Sequence, residues 1–226
     1  MLALNPDKTI AFQAGWGNNL TRIAQSAALS NAPVNPPLHL GFEGGAGGGP
    51  SLTFARPSFQ SGLSVPGNTR LVPDIAMLAD PFTGVEIIET IGGQLSVAVF
   101  GGTSVATPLF SGIMAIAAQS AGHGLGQAAA LVYNLPAGAV NDIVPVSSPG
   151  NVTGVLDGAP LSAANLAAPL NGTTAFYSAI YNSPFSTRWF VITFGTDSSL
   201  GTALGWDDVT GVGAPDALNF VNAVGH

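Results

Sequence analysis

Cysteine is absent from this 226-residue sequence. That excludes disulfides, thiolate metal sites and a cysteine nucleophile, and leaves the compartment open. Charge is scarce too. Lys, Arg, Asp and Glu make up 8% of the chain, where about a quarter is usual. The 5 basic residues form no run, so nucleic acid is not an expected partner. The 12 acidic residues set a formal net charge of −7. With few carboxylates to discharge, little stability is lost as pH falls, which suits an acidic workplace as well as a neutral one. Long apolar runs are also missing. The longest, Leu109 to Ala118, is interrupted by Ser111 and Gly112 and is too short for a bilayer, so no membrane partner is expected. The start, Met1 to Lys8, lacks the shape of a signal peptide, and no export signal is expected in this chain.

Hydrophobic residues are 46% of the chain, enough for a sizeable core, and 30 glycines with 17 prolines supply abundant turns. That mixture suits a compact α/β or β-rich extracellular protein. Leu20 to Leu29 reads as a short helix and Asn31 to Pro37 as a proline-rich connector. Arg70 to Asp80 reads as a buried strand, closed by the turn signal Asp80-Pro81-Phe82-Thr83-Gly84. Val85–Thr90 and Leu95–Phe100 read as strands joined at Gly92-Gly93. Val105, Leu109, Ile113 and Ile116 recur with helical spacing from Ser104 to Gln119. A short helix follows at Gln127–Tyr133, then a loop-like stretch from Pro145 to Asn171, a strand at Arg188–Phe194 and a terminal helix. No internal repeat or domain boundary stands out.

The chemistry gathers at Gly101-Gly102-Thr103-Ser104-Val105-Ala106-Thr107-Pro108. The glycines let the chain turn sharply out of a strand. The following helix points its free N–H groups and the positive end of its dipole at Ser104. An oxyanion formed when that serine attacks a carbonyl would sit in this field. A plain loop with Ser104 as a helix cap would use the bare tetrapeptide equally well. The longer string Gly-Gly-Thr-Ser-x-Ala-x-Pro-x-x-x-Gly is more specific, and it resembles the serine segment of the subtilisin-like superfamily. Leu109 stands where subtilisins usually have histidine, and His39 lacks a catalytic-histidine context, so it reads as a surface or core residue.

Three further blocks resemble the sedolisin family, the serine-carboxyl peptidases. They are Gly47-Gly48-Gly49-x-Ser51 with Pro57-x-x-Gln60, Val72-Pro73-Asp74-Ile75-Ala76 with Ala79-Asp80-Pro81-x-Thr83-Gly84, and Gly205-Trp206-Asp207-x-x-Thr210-Gly211-x-Gly213. The resemblance implies an α/β, subtilisin-like fold: a mainly parallel sheet with helices on both faces, strands near 70–78 and 95–100 lying side by side, and the N-terminal side incomplete. Residues 1–226 then read as the C-terminal portion of the peptidase domain, with an insertion at about 145–200. It also implies serine-type endopeptidase activity at acid pH on a peptide or protein substrate, and secretion of the full-length relative. In the family a glutamate takes the serine proton, one aspartate orients it, and a second, protonated, donates to the oxyanion.

Those three carboxyls have no recognisable counterpart here. Asp7, Glu43, Asp74, Asp80, Glu86 and Glu89 precede Ser104, none in the family's context. Asp74 reads as holding a strand end and Asp80 as capping a turn. The chain is expected to be inactive alone, with the complementary N-terminal half of the domain as its partner. A non-catalytic fragment or binding module, and a subtilisin-like enzyme completed by another chain, remain as alternatives. The resemblance further implies a structural Ca2+ site, with side-chain oxygens of Asp142 and Asp207 and carbonyls of Ile143, Ala203 and Gly205 as ligands.

Overall fold

In the computed structural model the chain divides into two compact units: Met1–Gly15, Ala46–Pro145 and Leu200–His226 form the first, and Trp16–Gly45 with Val146–Ser199 the second. The structure describes residues 2–4, 7–24, 33–145, 152–156, 159–160, 177–182, 189–194 and 201–225.

The first unit carries the serine segment. Strand Val85–Ile91 pairs antiparallel with Gln94–Phe100, in register from Val85↔Phe100 to Ile91↔Gln94. Its two-residue connection places Gly92 at φ 58° and Gly93 at φ 82°. A tight hairpin turn needs positive φ at both positions, which glycine adopts without a Cβ penalty. The chain then enters helix α1, Thr103–Ala121, which ends at Gly122 in the left-handed conformation. The Gly122 N–H closes the last turn on the Ala118 and Gln119 carbonyls. Two shorter helices follow, α2 at Ala128–Leu131 and α3 at Ala217–Val224. α3 is started by Asp216, whose side chain accepts from the Asn219 N–H.

α3 packs on α1 edge to face, with Phe110 and Phe220 ring centroids 5.6 Å apart. Phe220 is fully buried, as is Ala117 of α1. The helical stripe read from the sequence is another face of α1, and it stays open: Leu109 is 36% and Ile116 57% exposed. By length and composition α1 would also suit a bilayer, a test that core helices of soluble domains pass equally.

Strand Thr69–Val72 pairs antiparallel with Gly49–Ala55, not with Gln94–Phe100. Residues 73–84 carry no ladder, and the two expected neighbours come together where Gly102 N–H donates to the Ala79 carbonyl at 2.5 Å. Close approach there depends on glycine: a Cβ on Gly101 would lie 2.4 Å from Pro81 Cα, and one on Gly84 2.0 Å from the Phe100 carbonyl oxygen.

The second unit is a six-stranded sheet in the order Ala159–Pro160, Val152–Leu156, Tyr177–Asn182, Trp189–Phe194, Gly17–Ala24, Pro33–Gly45. Val152–Leu156 and Tyr177–Asn182 make the sheet's parallel pair; its other ladders are antiparallel. The strand expected at Arg188–Phe194 is present as Trp189–Phe194, with Ile192 buried between Ala179 and Leu20 of its neighbours. Its pairing corrects one expectation. Gly17–Ala24 is a strand, so residues 20–24 do not start a helix; residues 25–29 lie outside the described residues. Apolar spacing in that short run fits either period, and the ladder with Trp189–Phe194 decides it. Residues 33–37 are likewise extended, in a sheet-edge strand, where proline's missing N–H does little harm.

Candidate functional site

Ser104 is the second residue of α1. The strand ending at Phe100 delivers the chain to Gly101-Gly102, and Gly102, at φ 86° and ψ 165°, makes the sharp exit that only glycine takes readily. The Val105 and Ala106 N–H groups both turn back to the Gly102 carbonyl, at 3.0 and 3.2 Å. Ser104 is exposed, and no side chain caps the helix. Val105 and Ala106 thus use their N–H groups within the turn, and those of Thr103 and Ser104, without a partner among the described residues, are the donors left at the start of the helix. Pro108 sits within α1 as expected, early enough for its missing N–H to be tolerated.

Among the described residues no hydrogen bond joins Ser104 to a carboxylate or an imidazole. Two of the upstream acids in this unit, Asp80 and Asp74, are held elsewhere. Asp80 is fully buried and accepts from Thr83 N–H at 2.9 Å and Thr83 Oγ1 at 2.5 Å, the turn cap read from the sequence. Asp74 pairs with Arg70 and accepts from Tyr133 Oη at 2.7 Å. Buried Gln60 completes this cluster, exchanging bonds with Leu71 (Nε2 to O, 2.8 Å; N to Oε1, 2.9 Å) and donating to Tyr133 Oη at 2.7 Å. Burial, then the bond to Asp74, pushes the Tyr133 phenol up to about 12. Tyr133 drew no notice in the sequence; only its partner Gln60, in the Pro-x-x-Gln block, carried a signal. His39 lies exposed in the second unit, its Nδ1 2.9 Å from Thr21 Oγ1.

The separated blocks of the first unit meet in space. Trp206 Nε1 donates to the Pro73 carbonyl at 2.8 Å, Val212 N–H to Asp74 at 3.0 Å, and Ala76 N–H to Gly213 at 2.8 Å. A Cβ on Gly48 would lie 2.1 Å from the Asp208 carbonyl oxygen, and one on Gly211 2.4 Å from Asp74. These glycines are required by backbone crossing backbone.

The expected cation ligands lie on two neighbouring loops. Asp142 Oδ2 accepts from the Gly205 N–H at 2.7 Å, while Asp142 Oδ1 is buried without a partner. The carbonyls of Ile143, Ala203 and Gly205 accept no hydrogen bond among the described residues. An orphaned buried carboxylate oxygen beside free carbonyls fits a hard cation. Asp207 is different. It is 4% exposed, and its oxygens accept from the N–H groups of Ala203 (3.0 Å), Val209 (2.9 Å) and Thr210 (2.6 Å) and from Thr210 Oγ1 (3.1 Å). Those donors fill the roughly four lone-pair sites of a carboxylate. No group of three His, Cys, Asp or Glu side chains able to hold a metal occurs among the described residues, so any cation there would rely on backbone oxygens.

No protein-family model matches the chain. It is 39% identical over 107 residues to kumamolisin of Bacillus sp. (strain MN-32), covering 44% of this chain and 19% of that protein. It is 40% identical over 88 residues to sedolisin of Pseudomonas sp. (strain 101), covering 39% of this chain and 14% of that protein. The chain thus spans less than a fifth of the curated relatives it matches. Among solved structures it resembles Pseudomonas sedolisin, a serine-carboxyl proteinase complexed with two molecules of pseudo-iodotyrostatin. The TM-score is 0.56 at 22% identity, over 98% of this chain and 43% of that one, and at this identity the likeness speaks to the α/β fold alone.

Proposed function

This chain is a partial-domain relative of the sedolisin family, and from that premise we propose that it is the C-terminal portion of a secreted, acid-acting serine endopeptidase with Ser104 as nucleophile. The observation that carries the reading is the seat of Ser104: exposed, behind a glycine exit from a strand, at the uncapped start of α1. There Oγ attacks the carbonyl of a peptide or protein substrate, and the oxyanion develops against the helix N-terminus. The serine proton needs a base. The reading assigns that base, its orienting aspartate and the protonated oxyanion donor to a complementary N-terminal half. The mainly parallel, helix-flanked sheet belongs to that completed domain, with residues of about 145–200 as an insertion.

Loss of even one oxyanion donor costs about 10²–10³ in rate, so the chain alone should be inactive. The test is a chimera in which the part of Pseudomonas sedolisin preceding the matched region is fused ahead of this chain. Acid-pH cleavage of a protein substrate by the chimera, lost in Ser104→Ala, is the expected result. A folded but inactive chimera overturns the reading, and Ser104-dependent cleavage by the unfused chain overturns the assignment of the base. The second reading, a non-catalytic fragment or binding module, is favoured by the lack, among the described residues, of any base hydrogen-bonded to Ser104, and the inactive chimera is its expected result.

The reading includes a structural Ca2+ held by Asp142, Ile143, Ala203, Gly205 and Asp207. When bound it would supply the positive charge that ties the 142–143 loop to the 203–207 loop. Asp142 Oδ1 is the oxygen ready for it, and Asp207 would join by giving up one of its loop donors.

A further inference from the structure

The sequence holds a single Asp–Pro peptide bond, Asp80–Pro81. Such a bond is a weak point of any backbone in acid, for two reasons that act together. The proline nitrogen carries two carbon substituents and leaves readily once it takes a proton. The aspartate carboxylate is also one ring closure from its own carbonyl carbon, an intramolecular attack favoured by proximity. In that reaction an Asp80 carboxylate oxygen bonds to the Asp80 carbonyl carbon. The C–N bond to Pro81 breaks, its electron pair goes to the proline nitrogen, and a solvent proton completes the amine. The cyclic anhydride left on Asp80 then takes up one water and opens to two carboxyls.

The structure opposes each of these steps. Asp80 is fully buried. Its Oδ2 accepts from the Thr83 N–H and from Thr83 Oγ1, so the carboxylate is held forward along the turn rather than back on its own carbonyl. Hydrogen bonds to a carboxylate are among the stronger ones, and ring closure has to give them up. The scissile peptide is also covered at both of its polar atoms. A Cβ on Gly101 would lie 2.5 Å from the Pro81 nitrogen, the atom that must take the proton. One on Gly84 would lie 2.9 Å from the Asp80 carbonyl oxygen. With glycine backbone that close, no water fits between. The Pro81 ring itself is exposed, so the protection is local to the bond and its carboxylate and is not a matter of general burial.

We propose that Asp80–Pro81 is a latent acid self-cleavage site, held closed by the Thr83 cap and the Gly84 and Gly101 backbone. While the turn is intact the bond survives acid. When the turn opens, the Asp80 carboxylate cuts the chain into residues 1–80 and 81–226. That cut parts Gln60 and Asp74 from Tyr133, and both from the Ser104 segment, so an opened copy in acid is lost for good rather than refolded. The inference goes beyond the peptidase reading and does not depend on it, since Ser104 takes no part in the reaction.

The experiment uses the full chain carrying Ser104→Ala, which removes any contribution from that serine. It is incubated at the lowest pH at which circular dichroism shows it folded, and in urea at the same pH. Intact-mass spectrometry follows the appearance of the two fragments. The expected result is that the folded chain is cut at least tenfold more slowly than the unfolded one. Thr83→Val, which keeps the shape and loses the hydroxyl, should speed cutting of the folded chain roughly tenfold. Thr83→Ser, which keeps the hydroxyl, should restore the protection. Asp80→Asn should prevent the cut even in urea. Phe220→Ala weakens the core away from the turn, and its rate should follow its unfolded fraction alone. The proposal is overturned if folded and unfolded chains are cut at rates within twofold, or if Thr83→Val is cut as slowly as the parent. It is equally overturned if the Thr83→Val rate is accounted for by its unfolded fraction, as for Phe220→Ala, or if Asp80→Asn is still cut in urea.

Discussion

Two aspartates singled out by one motif argument play different parts at atomic scale. Asp142 keeps a buried oxygen unpaired, while Asp207 is consumed in holding its own loop. Substituting Asp207 removes several hydrogen bonds whether or not a cation binds, so Asp142→Asn is the cleaner probe. In the unsubstituted chain, Ca2+ at a hundredfold excess over its dissociation constant should add about 2.7 kcal/mol. That is a rise of roughly 5–10 °C in melting temperature, measured by calorimetry. Asp142→Asn should abolish the rise and leave the calcium-free transition nearly unchanged; Asp207→Ala should lower both transitions. The turn cap at Asp80 was legible in the sequence, since Asp-Pro-x-Thr-Gly spells its own local bonds. The capping role of Asp207 was hidden, because its donors are backbone groups that only the folded loop presents. Tyr133 gives a second test. Its phenol is held near 12 against an ordinary 10.0, so between those pH values the unfolded chain releases a proton that the folded chain keeps. Stability is therefore complete below pH 10 and falls as pH rises toward 12. Tyr133→Phe should flatten that part of a melting-temperature profile against pH.

Elements with strong local signals came through the sequence intact. The hairpin at Gly92-Gly93 did so because positive φ at two successive residues is a glycine signature, and α1 because sixteen or so residues of helical spacing outlast any short ambiguity. Gly17–Ala24 failed the same reading because its fate lies in a partner strand more than 160 residues away. Which face of α1 is covered was likewise illegible. The apolar stripe was visible in the sequence, but Phe110 is the position that meets Phe220 of α3 and Ala117 the one that is fully buried. At the junction of hairpin and helix, geometry makes a firm forecast. Gly101→Ala drives a Cβ into the backbone of Ala79 and Pro81, at 2.6 and 2.4 Å, and neither can yield as a side chain would. The expected cost is about 1–3 kcal/mol, read as a lowered urea midpoint with unchanged slope. Ser104→Ala, at an exposed position without a side-chain partner among the described residues, should shift that midpoint by less than about 0.5 kcal/mol. The contrast separates what the glycine does for the fold from what the serine would do in chemistry.

For the whole molecule, the register of the hairpin fixes what its surface implies. Ile88 stands opposite Val97, Thr90 opposite Leu95 and Glu86 opposite Val99, so Ile88, Val97, Leu95 and Val99 share one face. Ile88 is 66%, Leu95 74% and Val97 59% exposed. A two-stranded ribbon with such a face is marginal in water and leaves two open edges, which invites association. Scattered apolar residues on a surface need no explanation, but a contiguous face of this kind does. On the proposed reading, this face and the open stripe of α1 are interior surfaces of the completed domain. The chain alone should accordingly self-associate, with the sedimentation coefficient rising with concentration, and Ile88→Lys with Leu95→Lys should return it toward monomer. In the chimera the same two lysines should act in the opposite sense, lowering the melting temperature by burying charge without a partner. A change of sign between chain and chimera would mark the face as a core left open. Lysines equally harmless in both would mark it as ordinary surface and leave the self-association without a cause in this hairpin.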